Sequence, residues 1–147
     1  MSLKAKLMDD LKTAMKEKDT VKKSTVTLVR SAIKQVEVDT REELNDEQVI
    51  EIIARQVKQR RDAIEEFKKG DRQDLVEQSE KELAILMEYL PQQLTEDEVQ
   101  EIVKAVVEET GASSMKEMGK VMPKVIARTK GRADGKLVSQ FVKEALS

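Results

Sequence analysis

The chain has 147 residues, enough for one domain or two small subdomains at ~150 residues per domain. Hydrophobic residues make up 39% and charged residues 38%, against ~45–50% and ~25% in an average globular domain, so the core is lean and the surface heavily charged. Histidine and cysteine are absent; this removes the usual ligands of zinc, copper, haem and iron–sulfur sites, and with them thiol nucleophiles and histidine-based triads.

Helical periodicity dominates from the start. Leu3, Leu7, Leu11 and Met15 recur at four-residue spacing and predict a first helix with one apolar face. Asp19-Thr20 reads as a break, with Thr20 as the N-cap of a second helix that runs to about Val38 and buries Val26, Val29, Ile33 and Val36. The run Thr25–Val29 also favours strand, but the longer 3.6-residue period decides for helix. Glu37 to Leu44 reads as a polar connector. Asn45, followed three residues later by Gln48, predicts a capping box at the start of a third helix with Val49, Ile52, Ile53, Val57, Ile64 and Phe67 inward. Gly70 is the expected C′ residue. A fourth helix from about Gln73 carries Leu75, Val76, Leu83, Leu86, Met87 and Leu90, and Pro91 stops it.

Residues 91–94 form a linker. Thr95 and Glu98 repeat the capping-box spacing, and Val99, Ile102, Val103 and Val106 give the next apolar face, closed by Gly111. Ser113 or Ser114 caps a sixth helix, Gly131–Gly135 forms a turn, and a last helix carries Leu137, Val138, Phe141, Val142 and Ala145. The expectation is an all-α protein: an N-terminal array of about four helices over residues 1–90, the linker 91–94, and a small domain of about three helices over 95–147. No strand pair or G-x-G-x-x-G element appears, which argues against a nucleotide-binding α/β fold.

The net charge of −2 hides an asymmetry. Residues 112–147 hold eight bases and three acids, a net of +5, whereas residues 1–111 hold 19 bases and 26 acids, a net of −7. Within the basic tail, Lys116, Lys120, Lys124 and Arg128 recur every four residues. In an α-helix each is offset by only about 40° from the last, so they predict a basic ridge that Lys130, Arg132 and Lys136 extend. Such a ridge attracts phosphate backbones without base-specific contacts; the competing reading is a solubilising helix face. Met115, Met118, Met122 and Val125 form the opposite, core-facing stripe. Pro123 lacks an N–H and crowds the carbonyl of Gly119, which predicts a kink or two short helices.

Other constellations read as structure. Ser113, Ser114 and Lys116 superficially resemble Ser–Ser–Lys amidase chemistry, but the serines stand where an N-cap is wanted and the lysine belongs to the ridge. Arg60 falls near the apolar stripe of the third helix, where Glu65 or Glu82 is the expected partner. Carboxylates are plentiful, yet nothing in their spacing specifies a metal site. No cofactor and no catalytic residue is assigned. With Phe67, Tyr89 and Phe141 as the whole aromatic set, no base-stacking platform is available, so nucleic-acid binding would be backbone-based. The opening residues lack the apolar stretch of a signal peptide, and no run approaches the ~20 residues that span a bilayer. The expectation is a cytoplasmic protein with no membrane association.

Gln59-Arg60-Arg61-Asp62, Tyr89-Leu90-Pro91-Gln92-Gln93, Gly111–Lys116, Met118–Met122 and Gly131–Lys136 together resemble the YqeY family. The resemblance implies an all-α protein with a tail domain similar to the end of the B subunit of tRNA-dependent amidotransferases, which helps to grip tRNA. The shared tail pattern falls on Gly119, Val121, Met122, Lys130-Gly131, Ala133, Leu137 and Val138, mostly packing and turn positions. It therefore implies a fold more than a chemistry. The expected function is non-catalytic binding of tRNA, or association with the amidotransferase, through the basic tail. The alternatives are a protein–protein interaction module, or an accessory to a glutamine-dependent carbon–nitrogen ligase.

Overall fold

The computed structural model describes residues 2–147; Met1, the head of the stretch read for a leader, lies outside them. Among the described residues there are seven α-helices and no strand: α1 (Leu3–Glu17), α2 (Thr20–Thr40), α3 (Asp46–Lys69), α4 (Gln73–Met87), α5 (Glu96–Thr110), α6 (Met118–Thr129) and α7 (Gly135–Leu146), with a 3₁₀ turn at Met115–Glu117. The chain divides into two compact units, Met1–Leu90 and Pro91–Ser147.

The first unit packs α1 to α4 around Leu7, Val26, Val29, Ile33, Val49, Ile53 and Leu86. Local chemistry sets the helix ends. Ser2 caps α1 by accepting from the Ala5 N–H, and Lys18 turns the chain out in the left-handed region. The cap of α2 is Asp19, not Thr20: its carboxylate accepts from the Lys22 N–H. A carboxylate at that place also meets the positive end of the helix dipole. α2 runs on to Thr40, so Glu37 is helical and not part of a connector. The capping box of α3 forms as expected between Asn45 and Gln48. At the other end the left-handed residue is Asp71, at φ 55°, while Gly70 keeps φ −85°. On α1 the apolar stripe ends on Ala14, which is buried, while Met15 is exposed.

Long-range polar contacts tie this unit. Lys4 pairs with Glu37 at 2.5 Å, and Glu37 also accepts from the Leu44 N–H at 2.9 Å. The Lys4 bond, followed by the Leu44 bond, holds the Glu37 carboxyl below the usual carboxylate range. Arg60 pairs with Glu82 at 3.0 Å, joining α3 to α4. The Tyr89 hydroxyl donates to Asp10 at 2.5 Å, and burial, then that hydrogen bond, pushes the phenol well above its ordinary value.

The second unit packs α5, α6 and α7 around Val99, Val103, Val106, Val121, Val125, Val138, Phe141, Val142 and Leu146. Thr95 and Glu98 form their capping box. The segment after Pro91 is pinned to the turn between α6 and α7: Leu94 N–H donates to the Arg132 carbonyl at 2.8 Å, and the Gln93 amide to the Gly131 carbonyl at 2.8 Å. Gly111 and Gly131 take positive φ, 69° and 73°, at the ends of α5 and α6, where a side chain would be strained.

α6 departs from expectation in two ways. It passes through Pro123 as one α-helix, and the change of helix type comes earlier, between the 3₁₀ turn and Met118. The core stripe is Val121, Val125 and Thr129, with Met118 and Met122 half-buried beside it and Met115 exposed. A methionine at the edge of a stripe reads in sequence like one at its centre.

Candidate nucleic-acid interface

The seven basic residues singled out from sequence separate into groups. Lys120 and Lys124 stand exposed on one side of α6, next to each other along its surface. Lys116 is exposed too, but it sits in the 3₁₀ turn. Two 120° steps and two 100° steps set it about 80° back from Lys120, not 40°. The row therefore bends at its N-terminal end. None of these three forms an ion pair with a described residue.

Arg128 is different. Its guanidinium meets the Glu109 carboxylate, on the last turn of α5, at 2.5 Å. The Arg128 hydrogen bond, with Lys124 adding its charge, lowers the Glu109 carboxyl below its ordinary value, and the guanidinium is correspondingly raised. The fourth cation of the ridge is thus committed inside the unit. Arg132 lies in the turn after α6 and adds to the lowering of the Glu98 carboxyl, which is chiefly due to hydrogen bonds from Thr95. Lys130 and Lys136 both have partners within the chain. The expected seven-residue surface is, in these terms, a three-lysine one flanked by charges already engaged.

The serines ahead of α6 do not cap as expected. Ser114 occupies the cap position of the 3₁₀ turn without a side-chain cap bond, and instead the Glu117 carboxylate accepts from the Ser113 N–H at 2.5 Å. Lys116 is exposed beside them. Exposed apolar side chains flank the lysines: Met115 at 44% and Ile126 at 48% accessibility. Phe141, the one aromatic residue of this unit, is buried.

Elsewhere a concavity of about 840 Å³ lies between α1 and α2 and is lined by Lys4, Met8, Arg30, Lys34, Glu37 and Val38 among others. Among the described residues, no group of three or more acidic side chains is placed to hold a metal ion, and no helix is long and apolar enough to cross a membrane.

Comparison with known proteins adds the family setting. The family model described as Yqey-like protein matches residues 4–146. The chain is 32% identical to the mitochondrial protein "Altered inheritance of mitochondria protein 41" of Pyrenophora tritici-repentis, over 96% of this chain and 79% of that one. It is 43% identical to the protein of the same name from Kluyveromyces lactis, over 58% of this chain and 46% of that one. With the Lachancea thermotolerans protein the figures are 40%, 60% and 48%. The chain thus spans about half the length of the latter two. These names overturn the cytoplasmic expectation, since the relatives are mitochondrial proteins. The reason is physical: a missing apolar run bears on secretion and bilayer insertion, whereas organellar targeting segments are amphipathic and basic and contain no such run.

Proposed function

The chain belongs to the YqeY family, and from that premise we propose that it is a non-catalytic RNA-contacting protein whose second unit meets the phosphate backbone of tRNA. One observation carries the reading: Lys116, Lys120 and Lys124 stand exposed around one part of α6 and its 3₁₀ approach, outside any ion pair with a described residue. Cations outside ion pairs release counterions when they meet phosphates, and that release supplies most of the affinity of sequence-independent binding. The burial of Phe141 supports backbone contact over base stacking. The mitochondrial names of the relatives make the organelle the compartment in which we propose that it acts.

Gel-shift titration of bulk tRNA over a salt series tests this. Three phosphate contacts give a log K against log salt slope of roughly −2 to −3. The combined substitution Lys116→Glu, Lys120→Glu and Lys124→Glu, with helicity checked by circular dichroism, should abolish binding. Undiminished binding by this folded variant would remove the lysines from the interface. A protein partner recovered after nuclease treatment, with no tRNA retained, would favour a protein-docking role, for which exposed Met115 and Ile126 speak.

A further inference from the structure

Apolar side chains interrupt the charged surface of the first two helices: Met8 and Met15 on α1, Leu28 and Val38 on α2, all exposed. Their spacing is regular. Ala5, Met8, Lys12 and Met15 stand three, four and three residues apart, and so do Leu28, Ser31, Gln35 and Val38; each of these positions is exposed. A mean spacing of 3.5 residues is the repeat by which one helix seats its side chains in another. The inward faces of α1 and α2 are already used, through Leu7, Val26, Val29 and Ile33. The two outer seams come together: Ala5 and Met8 line the concavity between the helices along with Ser31, Gln35 and Val38.

The charge in this concavity is uneven. Arg30 and Lys34, one turn apart on α2, both line it. Arg30 is half-buried, and neither side chain forms an ion pair with a described residue. Lys34 acts on Glu37 only as a neighbouring charge, and the Glu37 carboxylate is already bonded to Lys4 and to the Leu44 N–H. Glu43, in the loop after α2, is the lining's other carboxylate. The apolar seam from Leu28 to Val38 extends ~15 Å along α2, nearly three helical turns. A second copy laid on it by two-fold symmetry would bring its own Arg30 and Lys34, like charge against like. An acidic helix brings the opposite sign, and carboxylates four residues apart match the spacing of the two cations.

We propose that the groove between α1 and α2 docks an acidic amphipathic helix of a partner protein. The apolar face of that helix lies on Met8, Leu28 and Val38, and its carboxylates meet Arg30 and Lys34. In this mode of recognition apolar residues at i, i+3, i+4 and i+7 supply the contact area, and the flanking charges select the partner. The inference concerns the first unit and is independent of the phosphate-binding reading of the second.

The probe is a fluorescein-labelled peptide of roughly 16 residues, long enough to hold a helix, with leucines on one face, glutamates on its flanks and alanine elsewhere. Its control carries lysine for each glutamate. Anisotropy titrations with the full chain should show the acidic peptide bound roughly tenfold more tightly, the scale of two exposed ion pairs. In the chain carrying Arg30→Glu and Lys34→Glu, with helicity checked by circular dichroism, the preference should invert. Met8→Ser with Val38→Ser, both at exposed positions, should weaken the two peptides alike and leave the preference in place. Equal binding of the peptides by the wild-type chain, or binding of neither, overturns the inference. So does an acidic preference that survives the charge reversal, or binding undiminished by the two serines. A wild-type chain that sediments as a dimer and becomes monomeric with those serines overturns it too, because the groove then belongs to a second copy.

Discussion

The two units spend a similar wealth of charge in opposite ways. In the first, two partly buried pairs join helices, Lys4 with Glu37 and Arg60 with Glu82. Lys6 lies over the Tyr89 ring at 5.3 Å, beside the Tyr89–Asp10 bond. In the second unit the exposed pair Arg128–Glu109 links α5 to α6, while Lys116, Lys120 and Lys124 stand exposed. The cores differ to match. The first is built from leucine, isoleucine and valine with a buried tyrosine; the second relies on valines and one phenylalanine. The contrast teaches that composition alone does not tell a surface charge from a structural one. What decides is whether a side chain of opposite charge is brought within reach.

Core substitutions should expose this contrast most strongly. Phe141 is the largest side chain in the second core and is 7% exposed. Phe141→Ala should cost about 3–5 kcal/mol. A unit the size of residues 91–147 is expected to hold only roughly 3–9 kcal/mol in all, so native-state hydrogen exchange should show α5 to α7 largely unprotected. Leu86→Ala in the first core should cost about 2–5 kcal/mol and leave α1 to α4 folded but weakened. If both substitutions lowered protection equally across all seven helices, the two cores would be one cooperative structure.

The next effect concerns Tyr89 and pH. Its folded phenol titrates well above the ordinary value of 10.0, first because it is buried and then because it donates to Asp10. A group whose pKa is raised on folding adds stability below its unfolded pKa and loses it as pH rises through the folded value. The chain should therefore lose stability from about pH 10 upward, and Tyr89→Phe should flatten that loss. At neutral pH the same substitution should cost about 1–3 kcal/mol, as for a hydrogen bond to a charged acceptor. Tyr89 is the sole tyrosine, so phenolate absorbance reports on it directly: tyrosinate should appear only as the helices melt. Ionisation well before unfolding would show that the Asp10 bond does not restrain the phenol.

How much of this was legible in the sequence follows from distance along the chain. Both capping boxes were, because Asn45 with Gln48 and Thr95 with Glu98 are three residues apart and their geometry is local. The helical class and the central residues of each stripe were too, since Leu7, Val26, Ile53 and Val103 fall in the middle of their apolar arcs. The edges were not: Met15 and Met115 match the period yet lie exposed. Glu82 was one of two partners expected for Arg60, and the choice fell across 22 residues. Lys4–Glu37 and Tyr89–Asp10 left no signal, because 33 and 79 residues separate the partners. The same limit applies to the candidate interface. The four-residue spacing of its cations is local and visible, but the 3₁₀ turn at Lys116 and the carboxylate that takes Arg128 are set by tertiary packing.

That carboxylate offers the finest test of the comparison. Glu109 holds Arg128 in the helix-joining role that Lys4 and Arg60 play in the first unit, while Lys120 and Lys124, on the same helix, keep the outward one. Glu109→Gln removes the charge and keeps the shape. Arg128 is then held by a weaker, neutral acceptor and can swing towards a phosphate beside Lys124. The salt slope for tRNA should steepen by roughly 0.9, the contribution of one added phosphate contact, while Arg128→Ala in the otherwise wild-type chain should leave the slope unchanged. Because the pair is exposed, stability should change little in either variant. A slope unaltered by Glu109→Gln would mean that Arg128 faces away from the ligand even when released, and would confine the interface to the three lysines. A slope that flattened in the single Arg128→Ala variant would mean the reverse: that the arginine already exchanges Glu109 for phosphate on binding, and that the ion pair is a resting place rather than a brace.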